Sequence, residues 1–144
     1  MMVGPNDMRR CLITVTALAA AFAIGCSISD DVTGPVAAGA WGGVGISLVA
    51  TEQSAQLEFD CALGEISEPL VLDAEGGFTL DGTFTPEHGG PIREDEVLES
   101  EPATYAGVID GGQMTLTIHL LERGTISGPF ALERDGSALL RKCL

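Results

Sequence analysis

The side chains best suited to chemistry gather in one stretch. Residues 86–102 read PEHGGPIREDEVLESEP and hold His88, Arg93 and the acids Glu87, Glu94, Asp95, Glu96, Glu99 and Glu101. An imidazole, a guanidinium and several carboxylates on one connection can orient a polar ligand, and Gly89-Gly90-Pro91 supplies a tight turn among them. Connections of this length in small domains are either functional or solvated chain. Two readings follow. One is a binding loop or lid over one mouth of the domain, with His88, Arg93, Glu94, Asp95 and Glu96 as contacts. The other, favoured by the like charges, is a solvated acidic loop. A metal site is not expected, because the neighbours Glu87 and His88 lack partners to complete a ligand set. His119 falls on the polar face of its strand, and DAEGG (73–77) lacks the spacing of a calcium loop. No G-x-S-x-G, H-E-x-x-H or glycine-rich phosphate loop is present. The expectation is a protein without catalytic residues or cofactor.

The cysteines carry more information. There are 4: Cys11, Cys26, Cys61 and Cys143. Cys26 ends the stretch AFAIGC, and the residues after it, SISDD, are small, polar and acidic. Arg9 and Arg10 followed by the apolar run LITVTALAAAFAI (12–24) read as a secretory signal, too short for the roughly 20 apolar residues of a membrane span. The run from Met8 is a complete signal by itself, so Met8 competes with Met1 as the start. Ala23-Ile24-Gly25-Cys26 resembles the lipobox of bacterial lipoproteins, although Ala23 stands where Leu is commoner. That resemblance implies cleavage before Cys26 and a diacylglycerol thioether and amide-linked acyl chain on it. Each buried acyl CH₂ is worth about 0.8 kcal/mol, and two or more chains make anchoring stable. The address implied is the bacterial cell envelope, on the periplasmic face of the outer membrane or at the cell surface.

With Cys11 lost with the signal and Cys26 lipidated, Cys61 and Cys143 remain in an oxidising compartment, where a disulfide persists. It would close a loop of 82 residues, contributing roughly 4–5 kcal/mol in the chain-entropy account. The alternative is a pair of free or metal-binding thiols.

Charge narrows the partners. Of 21 acids and 7 bases, only Asp7, Arg9 and Arg10 precede residue 26, so 20 acids face 5 bases beyond it, a formal charge of −15. Nucleic acid is excluded as a partner, since its recognition rests on Lys and Arg neutralising phosphate. A basic protein is attracted. A bare anionic membrane surface is not, so the membrane partner is reached through covalent lipid.

The elements that must position the loop alternate with period two. QLEFDCAL puts Leu57, Phe59, Cys61 and Leu63 on one face. FTLDGTFT does the same with Phe78, Leu80 and Phe84, with Gly82 marking a bend or bulge. QMTLTIHL does so with Met114, Leu116, Ile118 and Leu120. Further short strands are expected at 44–50, 69–73, 104–109, 125–133 and 138–143. Asp/Gly turns lie between the runs. The spacing predicts an all-β domain: a small antiparallel up-and-down β-barrel of about eight strands, with a β-sandwich as the alternative. The Cys61–Cys143 bridge is expected to hold the last strand in place and so close the barrel. The division is a signal peptide at 1–25, a lipid-anchored flexible linker at 26–40 and the barrel domain at 41–144.

GAWGG (39–43) resembles the Gly-x-Trp opening of lipocalin- and avidin-type barrels. FDCA, EHGGPIR, YAG, MTLT and the terminal KCL resemble uncharacterised small bacterial lipoproteins. That resemblance implies a common domain with no assigned activity. Two functions are therefore carried forward: a ligand- or protein-binding module, holding a small apolar ligand in its mouth or a partner protein, and an acidic inhibitor of a basic cell-wall hydrolase. The second is similar in architecture to small lipoprotein lysozyme inhibitors.

Overall fold

The computed structural model describes residues 34–144. The signal segment, Cys26 and the first part of the linker lie outside the described residues. Eight strands follow one another: β1 (Gly39–Gly43), β2 (Ile46–Ala50), β3 (Ala55–Phe59), β4 (Ala62–Ile66), β5 (Gly77–Pro86), β6 (Glu101–Asp110), β7 (Gln113–Leu120) and β8 (Thr125–Arg134). Each pairs antiparallel with its neighbours in sequence, and β1 pairs with β8, so the sheet closes into an up-and-down barrel. Closure leaves no long unpaired edge.

Alternation explains why the sheet curls this way. Inward positions carry Ile46, Leu48, Leu57, Phe59, Ile66, Tyr105, Met114, Leu116, Ile118 and Leu132, all buried, while their sequence neighbours face out. Side chains fill the interior. Trp41 and Tyr105 are its largest members, 1% and 0% exposed. Burying each large apolar side chain stabilises the fold by about 1.5–3 kcal/mol. Tyr105 needs a polar outlet and finds one, its hydroxyl donating to the Thr83 carbonyl at 2.6 Å. Burial pushes its phenol well above the ordinary value. Its hydroxyl leaves no room opposite, since a Cβ on Gly64 would stand 2.5 Å from it.

Five expectations need correction. QLEFDCAL is two strands, β3 and β4, folded back at residues 60–61, so Cys61 lies in a turn and Leu63 faces solvent. Gly82 marks no bulge: the β5–β6 register runs without a break past it, and the glycine admits the ring of Tyr105 and the Glu65 carbonyl. The register shift falls instead between Leu116 and Ile118, on the β7–β8 pair. Residues 69–73 form an irregular crossing with one bridge, Val36 to Val71, which lays Leu70 into the core.

Residues 138–143 form no strand. The tail after Arg134 runs outside the barrel, held by exchange between Leu139 and the β1–β2 turn: Gly45 N donates to Leu139 O at 2.9 Å, and Leu139 N to Gly43 O at 3.0 Å. Closure therefore comes from β8 on β1, through Trp41–Arg134, Gly42–Glu133 and Gly43–Leu132, and the bridge braces the tail.

Candidate functional site at the loop end of the barrel

The antiparallel order sends the turns at 44–45, 60–61 and 121–124 and the long connection 87–100 to one end of the barrel. The chain enters β1 at the opposite end, beside the 67–76 connection, where Ala37 N donates to Leu70 O at 2.9 Å.

At the loop end, Cys61 and Cys143 stand at disulfide distance, their Cα atoms 5.3 Å apart, within the span a bridge requires. Polar contacts hold the same tail. Arg141 N donates to Asp60 Oδ1 at 2.6 Å, so the exposed Arg141 side chain faces no barrel interior. Lys142 Nζ lies 2.7 Å from Glu58 Oε1 and 3.2 Å from Glu87 Oε2. The hydrogen bond to Glu58 is the chief reason its ammonium is held above the usual value. Both partners are well exposed, so this pair positions the tail more than it stabilises the fold.

The long connection has internal structure. Its first residue docks on the disulfide turn, with Glu87 N donating to Cys61 O at 2.9 Å, and its last is held by Ser100 Oγ to Thr85 Oγ1 at 2.6 Å. Between them, His88 Nε2 contacts the Glu96 carboxylate and Nδ1 lies 2.9 Å from the Gly89 carbonyl. Both neighbours are acceptors, so only the doubly protonated ring can donate to both. The Gly89 carbonyl, then Glu96, raise the imidazole above its usual value. The His88 contact, then the Arg93 backbone N–H, lower the Glu96 carboxyl. Of the five residues expected to form a binding loop, the structure brings His88, Glu96 and the Arg93 backbone together. Glu94 and Asp95 are exposed beside them. His88, Pro91, Arg93, Asp95 and Glu96 line a shallow cleft of about 610 Å³.

Sequence reasoning placed Glu101 among the loop acids, and here it missed the most unusual group. Glu101 is the first residue of β6, in phase with the buried Ala103 and Tyr105, and is 6% exposed. Across the β5–β6 pair its neighbour is Phe84. Phe84 packs on Phe59, and Phe59 on Phe130, with ring centroids 5.5 and 5.7 Å apart. The carboxylate is thus set beside apolar rings. Arg123 Nε, on the β7–β8 turn, stands 2.8 Å from Oε1, yet without hydrogen-bond alignment, and Oε2 has no donor. The phase of EPATYAG, with Glu101 two residues before Ala103 and four before Tyr105, is the signal that could have found it.

Among the described residues, no three His, Cys, Asp or Glu side chains are grouped so as to hold a metal ion. His119 lies on the outward side of β7, opposite Thr104 and Ile126. Comparison of the chain with protein-family models, curated proteins and solved structures returned no match.

Proposed function

We propose that this chain is a non-enzymatic, lipid-anchored lipoprotein of the bacterial cell envelope. Its barrel serves as a protein-binding module and presents the loop end to a basic partner. The observation that carries the reading is the division of labour in the fold. The interior is filled by side chains such as Trp41, Tyr105 and Leu116, which gives a small apolar ligand no support. One end gathers the long connection, the disulfide and a buried carboxylate.

The polarity of the barrel agrees with an anchor on Cys26. Only seven residues lie between Cys26 and Gly34, and the eight steps that join them reach at most about 28 Å when extended. A lipid there tethers the domain through the chain that enters β1, so the loop end is the end free of the tether. The excess of acids supports a basic partner, and an acidic inhibitor of a basic cell-wall hydrolase is the specific form this takes. Capture from an envelope extract by the full chain in detergent tests the module. A retained basic protein that elutes as salt rises from about 50 to 500 mM is the expected result, because screening shortens the reach of exposed charges. Capture that is indifferent to salt, or no capture at all, would count against it.

A further inference from the structure

We infer that the cleft floored by Glu101 is a receptor for one guanidinium group of a basic partner, and that the chain's own Arg123 occupies it as a displaceable guard. The inference rests on the reading of the loop end as a protein-binding surface and names the group that surface takes.

The argument starts from an unmet demand. A carboxylate more than nine-tenths buried is costly unless charge and hydrogen bonds compensate it. Glu101 has an ion-pair partner at 2.8 Å on one oxygen and no aligned donor on either. Arg123 offers its Nε from a half-exposed side chain on a turn that ends in Gly124 at φ 62°. It is therefore held from outside, at the rim, and leaves Oε2 without a donor.

The cleft around the pair has a volume of about 480 Å³ and is lined by Val97, Leu98, Glu99, Ser100, Glu101, Glu122 and Arg123. Both carboxylate oxygens are closed to solvent while Arg123 is in place, so an entering guanidinium reaches them only as Arg123 leaves. It can then meet both in the two-pronged geometry that Arg123 does not achieve, whereas an ammonium presents a point charge. Val97 and Leu98 give apolar wall for the methylene stem. Glu99 and Glu122 add negative potential at the entrance, which concentrates cations there. Arg123, once displaced, swings towards the same two acids, so its charge stays compensated.

The test uses the full chain in detergent micelles, titrated with the peptide acetyl-Gly-Arg-Gly-amide and followed by amide shifts at Ser100, Arg123 and Gly124. Lysine and citrulline versions of the peptide serve as comparisons. Saturable shifts are expected for the arginine peptide, weaker ones for lysine and none for citrulline. Removing the guard with Arg123→Gln should tighten binding by about threefold to tenfold. Glu101→Gln should weaken it by about tenfold or more, as truncating one partner of a buried charge pair does. Should Glu101→Gln disturb the fold, Glu122→Gln at the rim still tests the site and should weaken binding about twofold to threefold.

Equal shifts with arginine and citrulline peptides, or no tightening in Arg123→Gln, would overturn the proposal and leave Glu101–Arg123 a structural ion pair. Protein capture that survives Glu101→Gln would do the same while keeping the loop end as a binding surface. Peptide binding without protein capture would support the receptor and remove the basic protein partner.

Discussion

His88 shows how an exposed residue can hold a loop. Its two ring nitrogens both face acceptors, the Gly89 carbonyl and the Glu96 carboxylate, so the contact needs the imidazolium. The His88 value is raised in the folded chain, so its contribution is complete below the usual imidazole value and fades as pH rises through the raised one. Glu96 is lowered, so its contribution is present above the usual carboxyl value and fades as pH falls through the lowered one. The clasp is therefore closed between the lowered Glu96 value and the raised His88 value, and opens as pH rises through the latter. In an NMR titration the His88 ring should titrate above free histidine, with amide shifts at Arg93 and Glu96 following the same curve. His88→Gln should flatten those shifts, and a His88 value at or below that of free histidine would contradict the clasp.

Strands reveal themselves through the side chains they bury, and the elements misread here are those that bury little. β5 and β7 carry large inward residues and were legible from their period, whereas β6 and β8 were expected only as the shorter runs 104–109 and 125–133. β4 was not, because its inward positions include Ala62 and Gly64 while the bulky Leu63 points out. Leu63 thus continued the β3 pattern through a turn that periodicity cannot register. β1 is mostly glycine, a poor strand former. Its Gly42 has the tail packed against it, with Ala138 N 2.8 Å from where a Cβ would be. That contact joins residues far apart in the chain and leaves no local pattern.

The tail was misassigned for the converse reason: ALLRKC opens with the apolar run Ala138 to Leu140 and ends in a cysteine, but the sheet is already closed by β8. Since closure does not depend on the tail, Cys61→Ala, Cys143→Ala and the double variant should all keep the β-sheet circular dichroism of the parent. All three should lose about the same stability to denaturant, up to roughly 4–5 kcal/mol by loop entropy. Pairing also predicts that the double variant is no worse than either single one. Loss of sheet signal on reduction at room temperature would show that the bridge closes the barrel after all.

At the scale of the whole molecule, the fold class and the approach of Cys61 and Cys143 to disulfide distance were readable because alternation and cysteine arithmetic are global properties. The site was less so. Loop composition pointed to His88, Arg93, Glu94, Asp95 and Glu96, whereas burial singles out Glu101 and Arg123, and burial is decided by register across β5, β6 and the β7–β8 turn. The anchor rests on sequence: Cys26→Ser should leave the chain free of labelled palmitate and move it from the membrane to the soluble fraction. Label retained by that variant would refute lipidation at Cys26.

The closure of β1 between two partners bears on what happens under load. If the lipid holds the entry end and a partner pulls on the loop end, tension runs along the strand axis. Interstrand hydrogen bonds lie across that axis, so the five β1–β2 and three β1–β8 register pairs bear the force together in shear and cannot be unzipped one after another. The disulfide turn guards the other weak point, since the chain beyond β8 is clasped to residues 60–61 and cannot be peeled from its end. With the anchor and the partner proposed above, the barrel would be loaded along its strands, the direction in which these pairs resist together.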